Sequence, residues 1–147
     1  MLIRIDGSEV LRDLTKLERR VLDVARIQIY EVARVAFRAA RDTTLFRDRT
    51  GELRGTLDIV DKGAYWKRVI APATHAKFIE GGTKAHEIRP RRAKLLRFYV
   101  GGRVVYARKV NHPGTAKRPF MESAARAGSQ AMRVLFDEGV ERAIDVP

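Results

Sequence analysis

An α+β fold with a small antiparallel sheet is predicted by three features of the chain: a long helical period at the start, alternating segments broken by hairpin turns in the middle, and a second helical period at the end. In the first, Val10, Leu14, Leu17, Val21, Val24, Val32, Val35 and Ala39 recur at three- and four-residue steps with neither Gly nor Pro between them. This predicts one helix over residues 8 to about 43, with Ser8 as its N-cap. At about 1.5 Å per residue it would be about 50 Å long, more than a compact domain of this size buries, so part of it is expected to pack on another subunit. Arg12, Arg19 and Arg26, then Arg34 and Arg41, repeat every seven residues, and Glu18, Asp23 and Glu31 supply the opposite sign, as on a solvated outer face.

Asp48, Thr50 and Gly51 are turn signals, and the period changes from helical to alternating after them. Leu57 and Ile59, then Trp66, Arg68, Val69 and Ile70, predict two strands joined across Asp61, Lys62 and Gly63. Pro72 ends the second. Thr74 is placed to cap a short helix through His75, Ala76, Lys77, Phe78, Ile79 and Glu80, closed by Gly81 and Gly82. Residues 82–94 follow neither period and predict a long, basic loop around Pro90.

Residues 95–109 predict a hairpin turning at Gly101-Gly102. Its register puts Leu96, Phe98, Val100, Val105 and Ala107 on one face, expected to be core, and Leu95, Arg97, Tyr99, Val104, Tyr106 and Arg108 on the other. Residues 111–117 read as a turn, and Pro119 suits the first position of a helix. Phe120, Ala124, Ala127, Ala131, Leu135 and Val140 mark that helix to about residue 143, with Gly128 and Gly139 as weak points.

A length of 147 residues fits one core, so a single domain over residues 1–147 is expected. The absence of Cys excludes disulfides, thiolate nucleophiles, Cys-ligated zinc and iron–sulfur clusters. No stretch approaches the ~18 apolar residues of a membrane helix, and the first residues lack the regions of a signal peptide. A cytoplasmic protein with no membrane partner is expected.

The net charge of +12 is concentrated centrally. Between residues 84 and 118 there are eleven bases and one acid, Glu87, a net +10, whereas the remainder holds 19 bases and 17 acids. Such a field attracts a polyanion, either a phosphate backbone or an acidic protein surface, and composition does not choose between them. Arg outnumbers Lys 22 to 8, which favours planar bidentate contacts. On the hairpin, Tyr99 and Tyr106 could stack bases while Arg97 and Arg108 hold phosphate.

Catalytic readings are poor. His75, His86 and His112 have no metal-site spacing, Ser123, His112 and Asp137 lack a nucleophile-elbow setting, and Gly81-Gly82-Thr83-Lys84 lacks phosphate-loop spacing. No enzyme activity, metal or cofactor is expected.

The run His75-Ala76-Lys77-Phe78-Ile79-Glu80-Gly81-Gly82-Thr83, then His86, Ile88, Pro90, Lys94 and Leu96-Arg97-Phe98, then Val110-Asn111-His112-Pro113-Gly114-Thr115 and Arg118-Pro119-Phe120, resembles the tailed-phage neck family named for the tenth gene product of coliphage HK97. Thr50-Gly51-Glu52-Leu53-Arg54 resembles that family's turn after its first helix, so the similarity spans about residues 50–125. His75 stands where the family often has an aromatic residue. The resemblance implies a non-enzymatic virion protein of the head–tail junction, assembled in the host cytoplasm. It also implies a ring, six-fold by expectation, between head-closure or adaptor proteins and the tail terminator or tail tube. Glu80, Gly81, Gly82 and Thr83, with His112, Pro113, Gly114, Arg118, Pro119 and Phe120, are the expected subunit or ring-to-ring contacts, Phe120 as a buried anchor. Arg89, Arg91, Arg92, Lys94, Arg97 and Arg108 are expected to face passing DNA or an acidic neighbour. The alternative is a free-standing basic protein that binds nucleic acid non-specifically.

Overall fold

The computed structural model describes residues 8–144, apart from the side chain of Val10. In chain order the elements are α1 (Ser8–Asp42), α2 (Glu52–Thr56), β1 (Asp58–Asp61), β2 (Lys67–Ile70), α3 (Ala76–Gly81), β3 (His86–Ile88), β4 (Leu96–Val100), β5 (Arg103–Ala107), β6 (Val110–His112) and α4 (Phe120–Ile144). The class is α+β, and every strand pair is antiparallel, β1 with β2, β3 with β6 and β4 with β5. Two compact units divide the described chain, one from residues 8–73 with 120–144, the other Thr74–Pro119.

In the first unit α1 packs along α4 with the β1–β2 hairpin against α1. Gly128 lies against Val32 and Ala36 and Gly139 against Val24 and Gln28, so the two helices run antiparallel. These glycines, read from sequence as weak points, sit in tight contact between the two helices. A Cβ on Gly139 would stand 2.6 Å from Val24 Cγ1 and one on Gly128 3.2 Å from Ala36 Cβ. The lower helix propensity of Gly, about 1 kcal/mol relative to Ala, is offset by contacts that a larger residue would push apart. Of the charges read as a solvated face of α1, Arg26 pairs with Asp23 and Arg34 with Glu31, and Lys16–Asp13 adds a pair that the sequence reading did not name. Ser8 is already helical, and the residue that would cap it lies outside the described residues.

The connection from α1 to β1, where the sequence shows turn signals, also contains α2, too short to show a period, and a tightly bonded node. Arg54 donates from its guanidinium to the carbonyl oxygens of Arg41, of Thr43 at 2.6 Å and of Phe46 at 3.3 Å, which closes the C-terminal end of α1. The same group lies 4.9 Å over the Phe46 ring, and that ring meets Phe120 edge-on at 5.0 Å. Only a forked, planar cation reaches three carbonyls and a ring face at once. Arg54→Lys is therefore expected to lose about 1–3 kcal/mol of stability despite keeping the charge, read as a lowered urea midpoint.

Asp48 organises the start of α2. Its two carboxylate oxygens accept from the N–H groups of Gly51 and Arg54, both at 2.9 Å. The Arg54 N–H foremost, then Gly51 and Thr50, hold the Asp48 carboxyl below its ordinary range. A depressed folded-state value gives stability that is complete above the unfolded-state carboxylate pKa and is lost as pH falls through the folded-state value. Asp48→Asn is expected to weaken the protein at neutral pH and to flatten its loss of stability below about pH 4, measured by urea unfolding across that interval.

Among the described residues the fully buried large side chains are Phe120 and Leu53, and the rest of the apolar core is Phe46, Leu57 and alanines, including Ala33, Ala40, Ala124 and Ala143. Leu57, expected in the first strand, precedes it and is buried. The β1–β2 turn runs over residues 62–66, with Gly63 N–H bonded to Asp61 Oδ1 at 2.9 Å.

In the second unit, α3 begins after His75 and not Thr74; no side chain caps it, and the His75 carbonyl accepts from Phe78 and Ile79. The supposed loop of residues 82–94 contains β3, and the supposed turn of residues 111–117 begins within β6. Three-residue strands are too short to show alternation, and they are defined here by pairing with each other. The β4–β5 register matches the sequence reading, with Phe98 opposite Val105 and Arg97 opposite Tyr106 around Gly101 and Gly102, both at positive φ. Its expected core face is only half-buried at Leu96, Phe98, Val105 and Ala107, and exposed at Val100.

Candidate functional site

Two of the three Gly-Thr pairs of the chain, Gly82-Thr83 and Gly114-Thr115, lie where the second unit closes on itself. Thr83 N–H donates to the Thr115 carbonyl and Thr115 N–H to the Thr83 carbonyl, both at 3.0 Å, and the two hydroxyls are 3.0 Å apart. Each glycine makes this crossing possible for the other strand. A Cβ on Gly82 would fall 2.5 Å from the Thr115 carbonyl oxygen, and one on Gly114 would fall 2.3 Å from that of Thr83. Both glycines also have positive φ, 67° and 89°. The Arg118 N–H completes the closure by donating to the Ile79 carbonyl at 2.9 Å.

The crossing continues into β3–β6 in one register, because Thr83 pairs with Thr115 three residues before and after the His86–His112 pair. The two imidazoles stack with centroids 5.1 Å apart. His112 Nδ1 accepts from the Gly114 N–H at 3.0 Å, while His86 Nδ1 bonds the Lys84 carbonyl at 2.9 Å. Both rings are thus tied to the strand crossing, and no group of three or more metal-ligating side chains occurs among the described residues.

Beyond β3 the two strands fall out of step. Seven residues, 89–95, join β3 to β4, whereas two, Arg108 and Lys109, join β5 to β6, so five residues are in excess on the outgoing side. The seven-residue connection has the sequence Arg-Pro-Arg-Arg-Ala-Lys-Leu and is exposed throughout except at Pro90. At its foot Glu87 accepts from Arg89 and, at 3.0 Å, from Lys109, and these two cations hold its carboxyl below the ordinary range, Arg89 foremost. Among the described residues Arg91, Arg92, Lys94, Arg103 and Arg108 have no ion pair. The second unit holds twelve bases and two acids, a net +10 of the chain's +12.

No family model, curated protein or solved structure matches this chain. The geometry therefore carries the reading of the site. It brings together the two segments singled out from sequence, since Gly82 and Thr83 lie directly against Gly114 and Thr115, with Glu80 and Gly81 in the last turn of α3 and the exposed Pro113 beside the crossing. Arg118 and Pro119 lead out of that unit. Phe120 differs: at 0% exposure, with its ring edge-on to Phe46, it is a core group of its own chain and presents no surface to a neighbour. Arg89, Arg91, Arg92, Lys94, Arg97 and Arg108 are all exposed. The sequence reading missed the Glu87 clamp and the Thr83–Thr115 closure. The repeated Gly-Thr pair and the lone acid in a basic stretch were the available signals.

Proposed function

We propose that the chain is a structural subunit of a phage head–tail junction, a ring-forming neck or tail-completion protein acting by shape and contact and without catalysis. The observation that carries this reading is the mismatch between core and surface in the first unit. Its interior is largely alanine, while Leu11, Leu14 and Trp66 are 66%, 56% and 54% exposed. Leu11 and Leu14 share one side of α1 near its start, and Trp66 lines an apolar groove of about 340 Å³ with Ile29, Val32 and Met132. A subunit whose large apolar groups are left for neighbours to cover fits a closed ring. The resemblance described from sequence adds the class of assembly, with head-closure or adaptor proteins on one side and tail terminator or tail tube proteins on the other. The free-standing nucleic-acid-binding reading competes with it and draws on the exposed, unpaired bases.

Light scattering of the purified chain at two salt concentrations, alone and with short duplex DNA, separates them. A defined ring without DNA is the expected result. A monomer at every concentration that binds duplex tightly at physiological salt would overturn the ring reading.

A further inference from the structure

We propose that the excess loop at residues 89–95, together with Arg97 and Arg108 at the adjoining end of the β4–β5 hairpin, is a sequence-independent contact surface for the phosphate backbone of duplex nucleic acid. The inference stands on the second unit alone and does not require the ring.

The pairing geometry concentrates the charge. In the β4–β5 register Arg97 lies opposite Tyr106, one pair in from the open end of the hairpin, and Arg108 follows directly on Ala107, the last residue of β5, at that same end. The five-residue excess begins and ends at this end of the hairpin, and brings Arg91, Arg92 and Lys94 with it. The only acid of the region, Glu87, is already occupied by Arg89 and Lys109 and leaves the other cations uncompensated. Holding so many like charges together is unfavourable in isolation, and a polyanion relieves it with release of counterions.

The same face argues for duplex over single strands. A stacking platform needs free aromatic faces. Here one side of the Tyr99 ring already carries the Arg97 guanidinium at 5.4 Å, and its hydroxyl accepts from Arg97 at 3.0 Å. Tyr99 and Tyr106 are the two aromatics of the face, too few to hold a run of unstacked bases. A two-stranded antiparallel ribbon is moreover one of the elements that a duplex groove admits. Arginine in preference to lysine suits bidentate contact with phosphate oxygens.

The test uses the full chain and a labelled duplex of about 20 base pairs of mixed sequence, with affinity followed by fluorescence anisotropy between about 50 and 200 mM salt. Five contacts, from Arg91, Arg92, Lys94, Arg97 and Arg108, predict a slope of log K against log salt of about −4 to −5. Arg91→Gln and Arg92→Gln are each expected to reduce the slope by about 1 and to weaken binding equally for unrelated sequences. Removing Arg12 and Arg19 from α1 should leave the slope unchanged. No duplex binding at the lowest salt, an unchanged slope in R91Q and R92Q, or an equal loss from the α1 pair would overturn the proposal. So would preference for a single strand, or displacement of duplex by polyglutamate at equal charge concentration, which would indicate an acidic protein partner. Light scattering on R91Q and R92Q keeps this result separate from the ring reading, because a lost ring with intact DNA binding, or the reverse, registers on one readout only.

Discussion

Phe120→Ala is expected to lower the stability of the chain by about 3–5 kcal/mol, the range for removing a fully buried aromatic side chain from a core that cannot collapse around the gap. Phe120 is 0% exposed and opens α4, and its ring packs edge-on against Phe46, which in turn carries the Arg54 guanidinium on its face. Among the described residues Leu53 is the other fully buried large side chain, and the buried positions of the two long helices are mostly alanine and glycine. Neighbours of that size have no flexible atoms to move into the space. Chemical denaturation should show the loss directly, with Phe120→Leu retaining most of the stability. The loss should appear in chain that has not assembled, whereas a residue acting only at a subunit contact would leave the unassembled chain unchanged. Arg91→Ala, in contrast, should stay within about 0.5 kcal/mol of the parent, as is usual for an exposed surface group.

Gly114→Ala is the second large effect, expected at about 2–4 kcal/mol from a left-handed backbone and an overlap with main chain acting together. The added Cβ would sit 2.3 Å from the Thr83 carbonyl oxygen and 2.9 Å from the Lys84 carbonyl carbon, and no side-chain rotation relieves contact with backbone. Gly82→Ala should behave alike, because its Cβ would meet the Thr115 carbonyl oxygen at 2.5 Å. Gly81→Ala is the control: its φ is not positive and nothing lies within 4 Å of an added Cβ, so it should be neutral. Amide exchange reads this series locally. The Thr83 and Thr115 N–H groups, each bonded to the other's carbonyl, should lose protection in the Gly82 and Gly114 variants and keep it in the Gly81 variant.

These glycines also show why the motif segments are what they are. Residues 80–83 and 112–115 are fastened to each other, so the demand for Gly, Thr and the stacked His86–His112 pair arises first inside the chain. Any surface that the crossing offers a neighbour is built on this internal closure. The node at Thr50-Gly51-Glu52-Leu53-Arg54 has a similar origin: Asp48 orders the backbone of Gly51 and Arg54, Arg54 closes α1, and Leu53 fills the core.

The sequence by itself determined the α+β class, both long helices, the β1–β2 hairpin, the hairpin at Gly101-Gly102 with its register, and the concentration of charge between residues 84 and 118. Each is a local property, set by a period, a turn residue or a count that needs no distant partner. Only the tertiary structure decided the short strands β3 and β6, the five-residue excess, the Thr83–Thr115 closure and the close approach at Gly128 and Gly139. It also decided that Phe120 belongs to the core of its own chain. Those features depend on residues about twenty to more than a hundred positions apart meeting in space. Three residues of strand carry too little alternation to announce themselves, and a glycine reads the same whether it weakens a helix or admits a neighbouring backbone.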